Sequence, residues 1–420
     1  MKKVFFLILA VLLAIGLFFP AGTDKNTVLM EAPLVYEHKF LEDDALQKQT
    51  LQKEAVVVLE EERQIPEQTS SQLTEEKKAD LLRSQQDFYA FSSLSVMEQN
   101  LYVEILYALE NRVEEMELST KDPQEIDFIF QCVLMDHPEI FYADGYSFVK
   151  YTYGDEVRKV TFSGNFLFSE EEILDRQEKI KVAAREILSK IPQEASDYEK
   201  VKRVYEEIIN YTEYSMNAQD NQNICSVFLG RKSVCQGYAK AVQYLLNHLS
   251  VPTTLVVGTV ENGEGHAWNL VRIDNQYYHV DATWGDASYL VEQKNEGIPG
   301  INYDYLCITS EEIQRTHSID SVVPLPVCNA KEANYYVMEG AYFTEFEEEK
   351  LRQLIEEYKN RGQENVTIKC DSMETYQEMV EKLIEEQKIF LYLDTRENSI
   401  MYTESKEQLS LTFWILQEGK

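Results

Sequence analysis

The sequence is poor in positive charge. It contains 40 Lys and Arg residues against 73 Asp and Glu residues, which gives a formal net charge of −33 at pH 7. A chain this acidic repels nucleic-acid backbones and anionic lipid or teichoic-acid surfaces, so we expect none of them as an electrostatic partner. The hydrophobic content of 44% is nevertheless that of a globular protein, and it argues against a disordered chain.

Cysteine is also scarce, and the six cysteine residues are poorly placed for binding a metal. No pair has the short spacing of zinc ligands, so we expect neither a metal site nor a cofactor. Three cysteines lie in apolar runs and are interpreted as small core residues: Cys132, Cys307 and Cys370. A disulfide between Cys225 and another cysteine stays open at this point.

A single long hydrophobic run stands at the start of the chain. Two lysines precede an uninterrupted apolar stretch from Val4 to Phe19, which is the pattern of an export signal. The bulky Phe19 leaves no good cleavage site before Ala21, and the stretch is near the minimum length for spanning a bilayer. We predict that residues 1–22 are a signal peptide or a membrane anchor, and that the rest is extracytoplasmic, either secreted or attached to the cell surface.

The remainder of the chain divides by composition and periodicity. Residues 23–85 are polar with little periodicity, which predicts a linker. Capping boxes followed by helical and strand-like patterns predict an N-terminal α+β domain at 86–192. A core domain is predicted at 193–325, since Pro324 and Pro326 mark a boundary.

The last stretch, residues 330–420, is predicted to be a C-terminal α+β domain. Its pattern indicates two helices against a small sheet, with strand-like segments at 335–338 and near 388–393. We find no nucleophile, ligand cluster or phosphate-binding loop in this stretch.

Residues that carry chemistry concentrate in three short motifs between 233 and 286. The first motif, SVCQGYAKA, places Cys235 at the beginning of a predicted helix whose apolar residues recur at the helical period and stop before Pro252. The first turn lies at the positive end of the helix dipole, which favours the nucleophilic thiolate over the thiol. Gly237 is expected to leave room for a substrate backbone.

The other two motifs, GHAWNLV and YYHVDATWGD, predict the strands of a hairpin. Asp274 and Asn275 form its predicted turn. With a two-residue turn, His266 and Asp281 fall on the same face as diagonal neighbours, about 7–8 Å apart between backbones and within side-chain reach. A turn of odd length would place the two side chains on opposite faces, so the prediction depends on the turn.

A thiolate near an imidazole that a carboxylate orients is the arrangement used for acyl transfer. In this interpretation Cys235 attacks a carbonyl, His266 carries the proton and Asp281 holds the ring. The segments VCQGYA, HAWN and DATW resemble the transglutaminase-like superfamily, especially its secreted or membrane-attached members from Gram-positive bacteria. The cysteine, histidine and aspartate of that family fall on these three residues without gaps.

The resemblance implies a fold and a function. The fold is an α+β papain-like transglutaminase core, in which the nucleophile helix packs on an antiparallel sheet, flanked by N-terminal and C-terminal α+β domains. The function is that of a cysteine-dependent enzyme acting on a protein or peptide, including cell-wall-associated ones. Water as acyl acceptor makes it a peptidase or amidase, and an amine makes it a transglutaminase. The alternative is a surface binding or scaffold module that keeps the fold without turnover.

Several further residues are candidates for roles around this site. The backbone N–H of Cys235 is the natural donor to an oxyanion, and other candidates for the oxyanion site or the cleft are Gln236, Trp268 and Trp284. His279 shares strand parity with Asp281, which predicts that its side chain also faces inward. The alternative is that it is a half-exposed strand residue. Asp286 is an alternative orienting acid. His317 matches a histidine common in similar bacterial proteins, and no chemistry is assigned to it.

Overall fold

The computed structural model describes residues 51–58, 73–153, 155–286, 300–393 and 400–415, the first range through its backbone alone. The predicted signal peptide or anchor at residues 1–22 lies outside these ranges. None of the helices in the described part of the chain combines the length and hydropathy that crossing a membrane requires.

The first part of the fold contains a four-stranded sheet with the strand order β1-β3-β4-β2. Its strands are β1 (Leu51–Val58), β2 (Met116–Glu117), β3 (Ala143–Tyr153) and β4 (Glu156–Phe166). The helices of this part are α1 (Glu75–Ser84), α2 (Tyr89–Ser93), α3 (Val96–Asn111), α4 (Pro123–Asp136) and α5 (Glu170–Leu188). Ser95 and Ser169 form the capping boxes that the sequence predicts at the starts of α3 and α5.

The prediction of a polar linker over residues 23–85 is wrong at two places. Strand β1 pairs in parallel with β3, from Leu51 opposite Gly145 to Val58 opposite Thr152. Helix α1 also begins within the predicted linker. The edge of β3 provides hydrogen-bond partners for the backbone of β1, and local composition contains no information about such a distant partner.

The second part of the fold contains a five-stranded antiparallel sheet with the order β10-β9-β8-β7-β11. Its strands are β7 (Thr253–Val260), β8 (Gly265–Ile273), β9 (Gln276–Val280), β10 (Leu306–Ile308) and β11 (His317–Ile319), and a separate parallel pair is β5 (Glu213–Tyr214) with β6 (Lys232–Ser233). The helices are α6 (Asp197–Tyr211), α7 (Ile224–Phe228), α8 (Cys235–His248), α9 (Ala282–Gly285) and α10 (Ser310–Ile313), with a 3-10 turn at Tyr303–Tyr305.

Helix α8 packs on the middle of this sheet. Asn269 of β8 donates a hydrogen bond from Nδ2 to the backbone carbonyl of Ala239 in α8 at 3.0 Å. Apolar residues of the helix, including Val242 and Leu245, are buried. The predicted α+β fold, with a transglutaminase-like core in which the helix beginning at Cys235 lies on an antiparallel sheet, is confirmed.

The third part of the fold contains a four-stranded sheet with the order β12-β13-β15-β14. Its strands are β12 (Tyr342–Phe343), β13 (Asn365–Cys370), β14 (Tyr402–Ser405) and β15 (Ser410–Trp414). Its helices are α11 (Tyr335–Met338), α12 (Glu348–Asn360) and α13 (Met373–Val380), followed by a π-helical turn at Glu381–Glu385 and a 3-10 helix at Lys388–Leu391. Buried apolar residues from all three parts form one continuous cluster.

Two strand predictions in the third part are wrong. Residues 335–338 form helix α11, and most of the segment predicted near 388–393 is the 3-10 helix. Both segments are short, apolar and aromatic, a composition that periodicity alone cannot assign to strand or helix. The domain boundaries drawn from the sequence stay predictions.

Candidate active site

The cysteine of the first motif lies at the first position of α8, as the sequence predicts. The preceding residue, Val234, caps the helix with extended backbone, and its side chain accepts no hydrogen bond. The N–H groups of the first turn are therefore left without a side-chain cap, at the positive end of the helix dipole. Cys235 is 7% exposed, so its sulfur lies in a nearly closed environment.

The glycine two positions further on has a structural role that differs from the predicted one. A Cβ atom added to Gly237 would lie 1.9 Å from Oγ of Ser233 and 2.8 Å from Oγ of Ser226. These two hydroxyls are themselves hydrogen-bonded at 2.6 Å. Gly237 is buried against internal neighbours, so the expectation that it leaves room for a substrate backbone is wrong.

The hairpin of β8 and β9 has the predicted two-residue turn. Asp274 and Asn275 have φ angles of 48° and 64°, the left-handed pair that suits a tight hairpin. The resulting register brings His266 and Asp281 to the same face. Nε2 of the imidazole lies 2.7 Å from Oδ2 of the carboxylate. The predicted geometry of these two residues is therefore present in the structure.

The side chain of Cys235 is a second neighbour of the His266 imidazole, and it raises the pKa of the ring. Because Nε2 faces Asp281, the ring nitrogen left to exchange a proton with other groups is Nδ1. Burial lowers the pKa of His266, but the negative charges of Asp281 and Cys235 outweigh burial and raise this pKa to about 10. The ring is therefore an imidazolium at neutral pH.

The carboxylate of Asp281 is fixed at both oxygens. Oδ1 accepts hydrogen bonds from the backbone N–H groups of Thr283 at 2.9 Å and Trp284 at 3.1 Å, which makes Asp281 the N-cap of α9. Its own backbone N–H donates to the carbonyl of Tyr305 at 3.0 Å. Burial raises the pKa of this carboxyl group, but the positive charge of His266 and its hydrogen bond outweigh burial and hold the pKa well below its usual range.

A second imidazole binds the same carboxylate oxygen. Nε2 of His317 lies 3.1 Å from Oδ2 of Asp281, and Nδ1 lies 2.8 Å from Oγ1 of Thr316. Burial lowers the pKa of His317, so the ring is neutral: Nε2–H donates to the carboxylate, and the Thr316 hydroxyl donates to Nδ1. Sequence reasoning assigned this residue no chemistry. The one signal that could have identified it was the matching histidine in similar bacterial proteins.

The tryptophan of the second motif lies behind the imidazole. The ring of Trp268 stacks on that of His266 with a centroid distance of 6.0 Å, and its Nε1–H donates to Nδ1 of His279 at 3.1 Å. Because this N–H is occupied, it is not free to bind an oxyanion. His279 is fully buried and faces inward, and burial lowers its pKa to about 3, so it is a neutral acceptor.

The other candidates take different positions. Trp284 is half-buried and meets the ring of His266 edge-on at a centroid distance of 6.2 Å. Gln236 is half-buried in the first turn of α8. The carboxylate of Asp286 accepts a hydrogen bond from the hydroxyl of Tyr238 at 3.0 Å, while Asp281 binds His266, so the alternative orienting role of Asp286 is not what the structure shows.

Three side chains of the site also form a set that could hold a metal ion. One ligand atom from each of His266, Asp281 and His317 lies within 4.8 Å of the others, and all three residues are buried. Sequence reasoning found no clustered ligands, because His317 is distant in the chain. In the structure these residues form the imidazole–carboxylate hydrogen bonds described above, and those bonds use the same carboxylate oxygen that an ion would need.

Comparison with known proteins finds similarity in the stretch of sequence that contains these residues. Residues 184–282, which include Cys235, His266 and Asp281, match the transglutaminase-like superfamily. A stretch of 136 residues is 29% identical to the kyphoscoliosis peptidase of Mus musculus. That match covers 28% of this chain and 21% of the mouse protein, so the chain spans about a fifth of its relative.

Solved structures give weaker likenesses. A transglutaminase shares 17% identity over 37% of this chain and 47% of its own, with a TM-score of 0.26. A candidate cysteine protease from Cytophaga hutchinsonii shares 18% identity over 30% of this chain and 51% of its own, with a TM-score of 0.22. Scores this low support no statement about function. On the sequence match and the mouse homologue, the part of the chain that carries the site is a transglutaminase-like domain.

Proposed function

We propose that this protein is a cysteine-dependent acyl-transfer enzyme that acts on amide bonds of proteins or peptides. The observation that supports this best is the position of the His266 ring, whose Nε2 is hydrogen-bonded to Asp281 and whose pKa is raised by both Asp281 and Cys235. Nucleophile, proton carrier and orienting acid thus form one chain of contacts.

Acylation follows from these contacts. The thiolate of Cys235 attacks the amide carbonyl. The N–H groups at the uncapped start of α8 donate hydrogen bonds to the carbonyl oxygen and stabilise the negative charge that develops on it. The imidazolium of His266 gives its Nδ1 proton to the leaving amine, which departs and leaves a thioester on the sulfur. Asp281 keeps the ring oriented throughout, since its two oxygens are held by four donors.

Deacylation reverses the proton transfer. The neutral ring of His266 takes a proton from the acyl acceptor, which attacks the thioester and releases the sulfur as thiolate. Water as acceptor gives hydrolysis, and an amine gives a new amide bond. Both outcomes use the same residues.

Selective alkylation tests the nucleophile. Burial raises the pKa of the other thiols, to about 11 for Cys225 and Cys328 and about 12 for Cys132 and Cys370, and Cys307 is shifted in the same direction. Iodoacetamide at pH 7 should therefore label Cys235 alone, as measured by peptide mass spectrometry. Labelling spread over several cysteines, or absent from Cys235, would contradict an activated thiolate.

Trapping with peptide amides tests turnover and separates the two acceptors. Wild-type protein should form a thioester adduct on Cys235 and release either the free acid or, with a fluorescent primary amine added, the amide. Cys235→Ala should form neither, whereas Cys225→Ala, a matched buried cysteine in α7, should behave as wild type. If Cys235→Ala kept the full biological activity, the alternative of a binding or scaffold module would replace this proposal.

We also propose that the protein acts outside the cytoplasm, with cell-wall-associated peptides among its substrates. Support comes from the lysines and apolar run at the start of the sequence. Protease added to intact cells that express the chain should degrade it. Protection until the cells are lysed would contradict this location.

A further inference from the structure

A buried lysine from the third part of the fold lies against the catalytic core. Lys369 of β13 is 0% exposed, and its Nζ lies 3.2 Å from Oε1 of Gln408. The same Nζ lies 3.9 Å from Oδ1 of Asp304 and 3.8 Å from Oε1 of Glu312, two buried acids of the core. Lys369 thus places a buried ammonium group beside two buried acidic side chains from another part of the fold.

The neighbouring strand contributes a second contact to the same cluster. Ser410 of β15 is paired with Lys369 across the sheet, and its hydroxyl donates to Oδ2 of Asp304 at 2.7 Å. The side chain of Glu312 is held at its other oxygen by the backbone N–H and the hydroxyl of Thr309, both at 2.9 Å. Burial raises the pKa of Glu312, but the charge of Lys369 and the hydrogen bonds from Thr309 together lower it below its usual value, so the acid is charged.

Both acids belong to short elements that lie next in the chain to residues that bind Asp281. Asp304 directly precedes Tyr305, whose carbonyl accepts the backbone N–H of Asp281. Glu312 belongs to α10, and the chain leaves that helix to reach His317, which binds Oδ2 of Asp281. The lysine therefore fixes the two segments between which Asp281 is held.

We propose that Lys369 is a positioning residue for the site formed by Cys235, His266 and Asp281, an inference that rests on the proposed function. The third part of the fold then supports one wall of the active site. The groups that face His266 are Asp281, Cys235 and, through the shared oxygen, His317. A shift of Asp281 by about 1 Å reduces acyl transfer by about 10- to 100-fold.

The test combines three variants. Lys369→Met removes the cation, and Ser410→Ala removes only the hydrogen bond to Asp304 and is the milder change. The control is Thr412→Val, which breaks the hydrogen bond of 2.8 Å between Thr367 and Thr412, a pair two positions along the same two strands from Lys369 and Ser410. Folding of each variant is checked by circular dichroism at low temperature.

Two measurements decide the question. The pKa of His266 is followed by NMR, and kcat/KM on a peptide amide is measured across pH. We expect Lys369→Met to lose about 10- to 100-fold in kcat/KM, with a lower His266 pKa because the ring loses its full contact with Asp281. Ser410→Ala should show the same changes in smaller measure, and Thr412→Val should show neither.

Folded Lys369→Met and Ser410→Ala proteins with wild-type kcat/KM and a wild-type His266 pKa would overturn the proposal. If Lys369→Met does not fold, the kcat/KM and the His266 pKa of Ser410→Ala decide whether the proposal stands. The NMR titration of His266 does not require the protein to turn over a substrate, so it tests the positioning role separately from the proposed function. A wild-type protein that cleaves nothing, but whose His266 pKa moves in these variants, would refute the proposed function and leave the positioning role standing.

Discussion

Replacing Asp281 by Asn tests the electrostatics of the site. The change keeps the shape of the side chain but removes one of the two charges that raise the pKa of His266 from 6.5 to about 10. That rise corresponds to about 5 kcal/mol in favour of the imidazolium, at about 1.4 kcal/mol per pH unit. Asp281 is the larger contributor, so we assign it at least half of the rise, about 2 pH units.

The expected result follows from this magnitude. In the variant, His266 should titrate near pH 8 or below instead of near 10. At pH 9 the imidazolium then falls from about nine-tenths of the molecules to about one-tenth, which alone lowers turnover about tenfold. Loss of ring orientation adds to this, since the same change in a Ser-His-Asp enzyme costs about 10⁴-fold in kcat.

The assay is an NMR titration of the histidine ring nitrogens between pH 5 and 10.5, alongside kcat/KM over the same range. His266→Asn identifies the resonance. Asp286→Asn is the matched control, because Asp286 is a buried carboxylate nearby that binds Tyr238. A folded Asp281→Asn protein whose His266 still titrates near 10 would refute the reasoning.

Three other perturbations have definite expected outcomes. Gly237→Ala should lower the free energy of unfolding by about 1–3 kcal/mol in urea denaturation because its Cβ overlaps a serine hydroxyl, whereas Gly300→Ala, with open space, should be neutral. The pKa of His266 is higher in the folded protein than in the unfolded chain, so this residue contributes its whole stabilisation below about pH 6.5 and loses it as the pH rises toward 10. Thermal unfolding should show this loss of stability in the wild type but not in His266→Asn. Trp268→Phe leaves Nδ1 of His279 without its donor and should cost about 1–3 kcal/mol, measured in the same denaturation assay; an unchanged midpoint would contradict the importance of that bond.

The central pair of the site could be predicted from the sequence because it depends on local information. A two-residue turn at Asp274 and Asn275 fixes the parity of the hairpin, and parity fixes which residue faces His266. The start of α8 follows equally from the helical period after Cys235. These signals lie within a few residues of the groups that they place.

The remaining contacts depend on pairing between distant segments. His317 reaches Asp281 because β11 adds to the edge of β7, where His317 pairs with Val260, and no local pattern specifies that edge. Strand β1 forms in a polar segment for a similar reason: its partner is β3, far along the chain. Lys369 looks like an ordinary strand residue until the sheet is placed against the core.

The region that matches the transglutaminase-like superfamily ends at residue 282, one position after Asp281. A recombinant fragment trimmed to that region would keep the sulfur, the ring and the acid. It would lack the backbone N–H groups of Thr283 and Trp284 and the imidazole of His317, which bind the carboxylate, and the Tyr305 carbonyl, which binds its backbone. Of the four donors that the intact protein provides to this carboxylate, the fragment would keep His266 alone. Inactivity of such a fragment would therefore reflect the truncation and would not test the proposed function, so assays should use protein that extends through strand β15.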